Sequence, residues 1–434
     1  MLVKGAAFRL ESDLPPEAKF LLEDFRLAVN NAVRVGLQAR ATSRNALNRI
    51  AYKDFRQNHP RIYSQHLVSA FEVAASILKV YRRRARSNAA IRIPYVKRMM
   101  MKAENQAYRL DRDSGVIDLP IRTGCHVKLK LVVSQYHRRY LDDPTLSLGA
   151  LTILPDRVIV DFRKEAPKPY APESIISLDT NESSLDGVCL QENDTKVVRA
   201  SFPDVAIIQQ RHHDRRKTLQ KKKAHDRRTA RFLCRREGSR EHHKIDYRMH
   251  EVANSVLNFA EKKKSAIVLE NLKGMKFKRN KSLNRRLSLW PRRKLHQIIE
   301  YKAQWRGIPV VKMDPRYSSR KCPICGRIPD SRMGTLFECE CGWRLDRHIN
   351  ASINLLQTAI SKGLEVAGGL RFDPGAFQHD VMMTLYEPAM AARSEPNGTM
   401  CVQVVTRRSP PVNAREPGTA PPRVSCAKSK SAIW

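Results

Sequence analysis

The sequence predicts a multidomain protein of mixed class, α/β plus α+β, from three observations. Strand and helix patterns alternate from residue 173 onward. An all-helical stretch at residues 15–90 separates an N-terminal strand from a β-rich segment. Four of the nine cysteines crowd into a 20-residue window. At about 100–200 residues per domain, 434 residues supply two to four domains.

LVKGAAFRL, at the extreme N-terminus, alternates enough for a strand. From Pro16 the period changes: Leu21, Phe25, Val29, Ala32 and Val33 recur every three or four residues, the stripe of an amphipathic helix. A second helix runs through Leu67, Phe71, Ala74, Ile77, Leu78 and Tyr81 and ends in Arg82, Arg83, Arg84 and Arg86. Val127, Leu129, Leu131 and Val133 then alternate with polar neighbours, and LTILPDRVIVDF (151–162) reads as two strands about a Pro-Asp turn. The most economical layout joins the N-terminal strand to this later sheet and inserts the helices between them.

IISLD (175–179), DGVCL (186–190) and TKVVRASF (195–202) are three closely spaced strands, as in a meander. The very basic segment Arg211 to Lys244 continues into a helix around Val252, Val256, Leu257 and Phe259. AIVLE (266–270) is a short strand of the buried type, 291–306 a helix and PVVKM (309–313) another strand. The helix after the cysteines holds Ile349, Ile353, Leu355 and Leu356. Past about residue 365 periodicity fades and prolines accumulate, so 366–434 reads as a disordered tail.

A net charge of +37 is too basic for an ordinary metabolic enzyme and requires a polyanionic partner. An apolar content of 42% argues against full disorder. The chain has no run of about 18 apolar residues, and MLVKGAAFRLESDL has no long apolar stretch, so neither a membrane span nor a signal peptide is expected. Charge runs are most often solvated helix faces, but an imbalance this large repels itself without a counter-charge. Arg82, Arg83, Arg84, Arg215, Arg216, Lys221, Lys222, Lys223, Arg227 and Arg228 are therefore the candidate phosphate contacts. Tyr63, Tyr81 and Tyr95 are candidates for stacking on unpaired bases.

CPIC (Cys322, Cys325), thirteen residues, then CEC (Cys339, Cys341) supply four thiolates in two close pairs, the donor set of a tetrahedral Zn²⁺. Gly326 and Gly342 follow the pairs and suit tight knuckles. Four cysteines close the coordination shell, so the metal is structural. The single residue inside the second pair departs from the commonest ribbon. An odd cysteine total without a secretory signal argues against a disulfide framework.

Three acids stand where strands and a helix should meet. Asp179 ends IISLD, Glu270 ends AIVLE, and Asp346 precedes the helix after the cysteines. Taken singly, each has the placement of a turn or cap residue. Together they match the needs of phosphodiester hydrolysis, in which carboxylates hold two Mg²⁺ ions about 4 Å apart.

In their order and relative positions, SLDTNESSLDG, IVLENLKGM, YSSRKCPICG with FECECG, and LDRHINASINLL resemble the nuclease core of the TnpB family, transposon-encoded RNA-guided nucleases ancestral to the type V CRISPR effectors. The resemblance implies a RuvC-like (RNase H-like) core with an inserted zinc ribbon, and a β-barrel-like wedge domain with an inserted helical recognition domain. It assigns 1–14 to a wedge strand, 15–90 to recognition, 91–172 to the wedge, 173–317 to the core, 318–345 to the ribbon and 346–365 to the last core helix. Asp179 becomes the first catalytic acid and Glu270 the second.

Two departures stand out. Family members commonly read Asp-Leu-Gly where this chain has Asp179-Thr180-Asn181, and the usual place of the third acid holds His348. Asp346, four residues before Asn350 and able to share its helix face, is expected to take the third role, with His348 as the alternative. The implied activity is Mg²⁺-dependent, RNA-guided cleavage of double-stranded DNA. Its partners are a guide RNA and the target, with one protein per guide, in the prokaryotic cytoplasm at the nucleoid. The alternatives are a nuclease-dead guided repressor and an accessory DNA-binding protein of transposition.

Overall fold

The computed structural model describes residues 1–388 apart from 59, 61, 88–90, 123, 193, 223–225, 273–290, 330–333 and 367. Lys223 and the tail from 389, both singled out in the sequence, lie outside the described residues, as does the side chain of Lys222.

Strand β1 (Leu2–Leu10) is the middle of a seven-stranded sheet whose other members come much later in the chain. It pairs antiparallel with β7 (Arg157–Lys164) from Leu2↔Lys164 to Arg9↔Arg157, and at its end with β5 (Cys125–Val132). β2 (Met101–Ala103) and β6 (Ser147–Leu154) continue the sheet beyond β7, while β4 (Val116–Arg122) and β3 (Arg109–Asp111) continue it beyond β5. A short helix, α4 (Gln135–Leu141), follows β5. The sheet is open: β2 and β3 are its edges, where a barrel-like closure is expected from the sequence. Each is three residues long, and the turn Asn105–Ala107 lies between them.

Between β1 and β2 come α1 (Pro16–Gln38), α2 (Arg44–Asn58) and α3 (Ser64–Ala85). The sequence pattern misses α2 because this polar helix buries only Leu47, Ala51 and Phe55. Phe25, Phe71 and Leu78 from the helices share one apolar core with Phe8, Ile117 and Phe162 from the sheet, so the helices form a layer on the sheet. His66 stitches the two layers together. Its Nε2 lies 2.7 Å from the Pro120 carbonyl of β4 and must donate to it, which leaves Nδ1 buried without a partner.

The second sheet has the order β12-β11-β8-β9-β10-β15. β8 (Ser174–Thr180), β9 (Ser184–Gln191) and β10 (Asp194–Ser201) form an antiparallel meander; β11 (Ser265–Glu270) and β12 (Val310–Met313) add in parallel to β8. α6 (Arg227–Lys262) and α7 (Arg292–Arg306) cover one face and α8 (Arg347–Ser361) the other. The long basic segment folds as a hairpin, with α5 (Asp204–Lys222) antiparallel to α6; Asp226 caps α6 by accepting from the Thr229 N–H at 3.0 Å. Residues Phe377–Tyr386, placed in the disordered tail by the sequence reading, form β15, parallel to β10. This edge strand buries little apart from Phe377, so it leaves no apolar alternation in the sequence. Trp305 of α7 closes the seam with the first sheet, with the Lys164 ammonium 4.6 Å and the Lys4 ammonium 5.6 Å from its ring.

The cysteine segment, with β13 (Leu336–Glu338) paired to β14 (Arg344–Asp346), docks on α8 through carboxamides. Asn350 Nδ2 donates to the Lys321 carbonyl at 3.0 Å. Asn354 Nδ2 reaches the Ser318 and Lys321 carbonyls at 2.8 and 2.7 Å, and Gln357 Nε2 the Pro323 carbonyl at 3.0 Å. Spacings of four and three put all three on one helix face. Among the described residues, no helix is long and apolar enough to cross a membrane.

Burial pushes the His66 imidazole down to about 4 from the ordinary 6.5, against the pull of its bond to Pro120. The unfolded chain therefore takes up the proton first as pH falls. This group's stability is complete above pH 6.5 and is lost toward pH 4, on the order of 3 kcal/mol in all. The loss of melting temperature between pH 7 and pH 5 is expected to shrink in His66→Gln, measured by thermal scans of both proteins at the two pH values.

Candidate active site and metal centre

Alternation along β8 decides which side chains meet. Ile176 and Leu178 pack toward α6 and α7, Ile175 toward α8, and Ser177 Oγ donates to the Ser352 carbonyl of α8 at 2.7 Å. With period two, Asp179 faces α8 and Thr180 faces α7. On β11, Ile267 and Leu269 face α6 and α7 and Val268 faces α8, which sends Glu270 to the side of Asp179. The parallel register aligns Leu269 with Leu178, so the two acids end neighbouring strands side by side. The C-terminal ends of sheet strands are where open α/β folds gather ligands.

Asp179 and Glu270 are 8% and 7% exposed. Burial drives both carboxyl groups to hold a proton well above their ordinary range, and the Asp179 charge adds to the rise at Glu270. His348, on the first turn of α8, brings Nδ1 to 2.8 Å from Asp179 Oδ2. With Nδ1–H donating to the carboxylate, Nε2 keeps its lone pair. Burial lowers the affinity of this imidazole for a proton, and the nearby Asp346 opposes that.

Asp346 has a different partner. It is the N-cap of α8, accepting from the backbone N–H of His348 at 2.8 Å and of Ile349 at 3.4 Å. The side chain that reaches Asp179 from this helix start is therefore His348. Among the described residues, the four cysteines are the one group of three or more Asp, Glu, His or Cys whose ligand atoms all lie within 4.8 Å of one another, so Asp179, Glu270 and His348 do not form such a group.

Three residues that sequence reasoning does not single out complete the site. Asp186, opposite Asp179 across β8 and β9, is buried and accepts from Asn181, Ser184 and Arg199. On the opposite face, Thr180 Oγ lies 2.7 Å from Nε2 of the buried His296 on α7. Burial, with Lys312 and Arg292 nearby, takes His296 down to about 4, so its ring is neutral. Asp186 carries a signal, an acid inside a buried strand; His296 has none, because PRRKLHQIIE is an ordinary amphipathic helix.

The four cysteines converge. Cys322 Sγ lies 3.6 Å from Cys341 Sγ, Cys325 Sγ 3.4 Å from Cys339 Sγ, and all four sulfurs fall within 4.8 Å of one another. Zn–S bonds of about 2.3 Å in a tetrahedron put sulfurs roughly 3.8 Å apart, and a disulfide needs about 2.05 Å, so the geometry fits the metal and excludes the bridge. Backbone N–H groups of Ile324 and Cys325 point at Cys322, and that of Arg327 at Cys325. Gly326 and Gly342 turn the two knuckles with φ of 76° and 89°, angles that a side chain would strain.

The basic candidates divide. Arg83, Arg84, Lys221, Arg227 and Arg228 are exposed. Arg82 bonds to the Arg40 carbonyl and lies 3.5 Å from Thr42. Arg215 lies 3.4 Å from the buried Glu237, and Arg216 pairs with Glu241, so both hold the α5–α6 hairpin together. Tyr95 is exposed and accepts from Arg26 at 3.2 Å, whereas Tyr63 and Tyr81 are half-buried.

A family model described as Cas12f1-like, TNB domain matches residues 293–355, from α7 through the cysteines into α8. A second, the uncharacterized protein MJ0013 family, matches residues 21–117. A TnpB-like protein of Methanocaldococcus jannaschii is 28% identical over 248 residues, 55% of this chain and 88% of that protein. The CRISPR-associated endodeoxyribonuclease Cas12f1 of Sulfoacidibacillus thermotolerans is 39% identical over 82 residues, but these are only 18% of this chain and 19% of that one. The solved Cas12f1–sgRNA–target DNA complex matches with a TM-score of 0.50 at 16% identity, over 78% of this chain and 81% of that one, a likeness of fold. One relative is matched over most of its length, and the first family model falls on the elements that carry the ribbon and His348, so the comparisons support a TnpB-like protein.

Proposed function

We propose that this chain is an RNA-guided DNA endonuclease of a transposon, which lets a guide RNA pair with target DNA and cleaves the DNA at the Asp179–Glu270 site. The observation that carries this reading is the pair of buried carboxyl groups side by side at the ends of two parallel strands, with His348 Nδ1 2.8 Å from Asp179. Support comes from a relative named as an endodeoxyribonuclease, from a structural neighbour bound to guide RNA and target DNA, and from the net charge of +37. In such systems base pairing reads the sequence, while protein cations hold the backbones.

The donor set fits a hard divalent cation. Two carboxylates this close repel unless a proton or a cation offsets one charge, and oxygen donors suit Mg²⁺. Asp179 and Glu270 would hold it; when bound it supplies an activated water and offsets charge on the leaving oxygen. His348, oriented by its bond to Asp179, presents the Nε2 lone pair as an acceptor for a proton from water. Asp346 holds the start of α8, and thereby His348, in place. The cysteine site would take one structural Zn²⁺, and the carboxamides of α8 tie that ribbon to the helix carrying His348.

A second reading, a guided DNA binder without cleavage, is favoured by His348, an imidazole where the family places an acid. Purifying the chain from its host and sequencing the RNA that accompanies it tests the guided readings together. The absence of a specific transcript points instead to an accessory DNA-binding protein. Incubation of the complex with matched target plasmid and Mg²⁺ then separates nuclease from repressor by the appearance of linear DNA.

In Asp179→Asn and Glu270→Gln, plasmid cleavage is expected to fall at least about 100-fold, a loss of some 3 kcal/mol of transition-state stabilisation, with guided DNA binding within about threefold of the parent by gel shift. His348→Asp, which restores a third carboxylate, is expected to raise Mg²⁺-dependent cleavage about 10-fold; an unchanged rate shows that the imidazole does not limit the reaction. Metal analysis should find about one zinc per chain, and its removal by a chelator should lower the melting temperature by about 5 °C.

A further inference from the structure

We propose that Arg199 is a DNA-binding residue of the nuclease site, holding a phosphate beside the one that is cut, and that Asp186 positions its guanidinium. The inference rests on the nuclease reading above and names one contact of that site with its substrate. Strand register builds the arrangement. Asp179 stands opposite Asp186 across β8 and β9, and Asp186 stands opposite Arg199 across β9 and β10. With Leu269 level with Leu178, the residues Glu270, Asp179, Asp186 and Arg199 form one row across four adjacent strands. Directly opposite residues share a face of the sheet. The alternation agrees: Val188 and Val197, each two positions along from Asp186 and Arg199, both pack toward α8.

Arg199 donates from Nε to Asp186 Oδ1. Asp186 is a firm anchor, because its side chain is 3% exposed and its other oxygen accepts from Asn181 and Ser184. This bond uses one of the five N–H donors of the guanidinium. Among the described residues the two terminal nitrogens of Arg199 make no hydrogen bond, and its side chain is 40% exposed, so the fork is within reach of a ligand. Two parallel N–H donors match two oxygens of a phosphate. Leaning on Asp186, the guanidinium stands about 5 Å, one strand spacing, along the row from Asp179. Neutralising Asp186 needs only a charge; fixing a guanidinium through Nε with its fork open orients a donor.

The test is single-turnover cleavage, with Mg²⁺, by the full chain loaded with its guide RNA, on matched DNA that carries one uncharged methylphosphonate at each position in turn around the cut. In the parent, cleavage is expected to slow about 10-fold at one position close to the cut, the scale of one charge-assisted hydrogen-bonded contact. Arg199→Ala is expected to cleave unmodified DNA about 10-fold more slowly and to show no further loss at that position, because the two changes remove the same contact. Arg199→Lys keeps the charge without the fork and should fall about threefold below the parent. Guided DNA binding by gel shift should stay within about threefold throughout, since base pairing carries it. A parental rate in Arg199→Ala, or losses that multiply at every position, overturns the contact while leaving the metal site intact. Slower cleavage in Arg199→Ala with a lowered melting temperature and undiminished sensitivity to the methylphosphonate shows a structural link only, which also overturns the proposal. A parent that does not cleave, or an Asp179→Asn variant that cleaves as well as the parent, overturns the nuclease reading and the contact with it.

Discussion

Burying one carboxylate costs several kcal/mol unless something offsets its charge, and this fold buries two side by side at the ends of β8 and β11. Much of the surrounding structure answers that constraint. Burial raises the proton affinity of both groups, and His348 donates to Asp179. Asp186, a third buried acid across β9, would add to the repulsion, but Arg199, Ser184 and Asn181 satisfy it. The pair is thus held in a state that a proton relieves in the free protein and a hard cation would relieve in the working one.

Helix α8 connects this constraint to the four-cysteine cluster. Its first turn carries His348, while Asn350, Asn354 and Gln357 hold the carbonyls of the first knuckle. Asn350 and Asn354 are themselves buried, so these bonds are shielded from water and resist exchange. Ligand bonds at the four sulfurs therefore bear on the orientation of an imidazole on another part of the same helix. A polar stripe on an otherwise apolar helix reads in sequence as a weak amphipathic pattern; in the fold it is the joint between two modules.

Much of this was legible beforehand because period and spacing are local properties. The meander, the strands ending in Asp179 and Glu270, the zinc knuckles and the insertion of helices after β1 all follow from patterns within a few residues. Three features were not. α2 buries too few apolar residues to show a stripe, β15 gains its stability from pairing to β10 and not from its own composition, and β2 and β3 stand as the unpaired edges of the first sheet. Charge density in the basic segment does not reveal that it supplies two antiparallel helices, α5 ending at Lys222 and α6 starting at Arg227.

By itself the sequence determined the classes of chemistry present: a polyanion-binding charge, a four-thiolate metal site, and acids at strand ends matching the TnpB pattern. The tertiary structure alone decided which residues meet. Asp346 and His348 are two positions apart, and nothing local distinguishes ligand from cap; the helix start needs an acceptor for its free N–H groups and takes Asp346, which sends His348 to Asp179. Thr180 and His296 are separated by 116 positions, and only the packing of α7 on the far face of the sheet brings them within hydrogen-bonding distance.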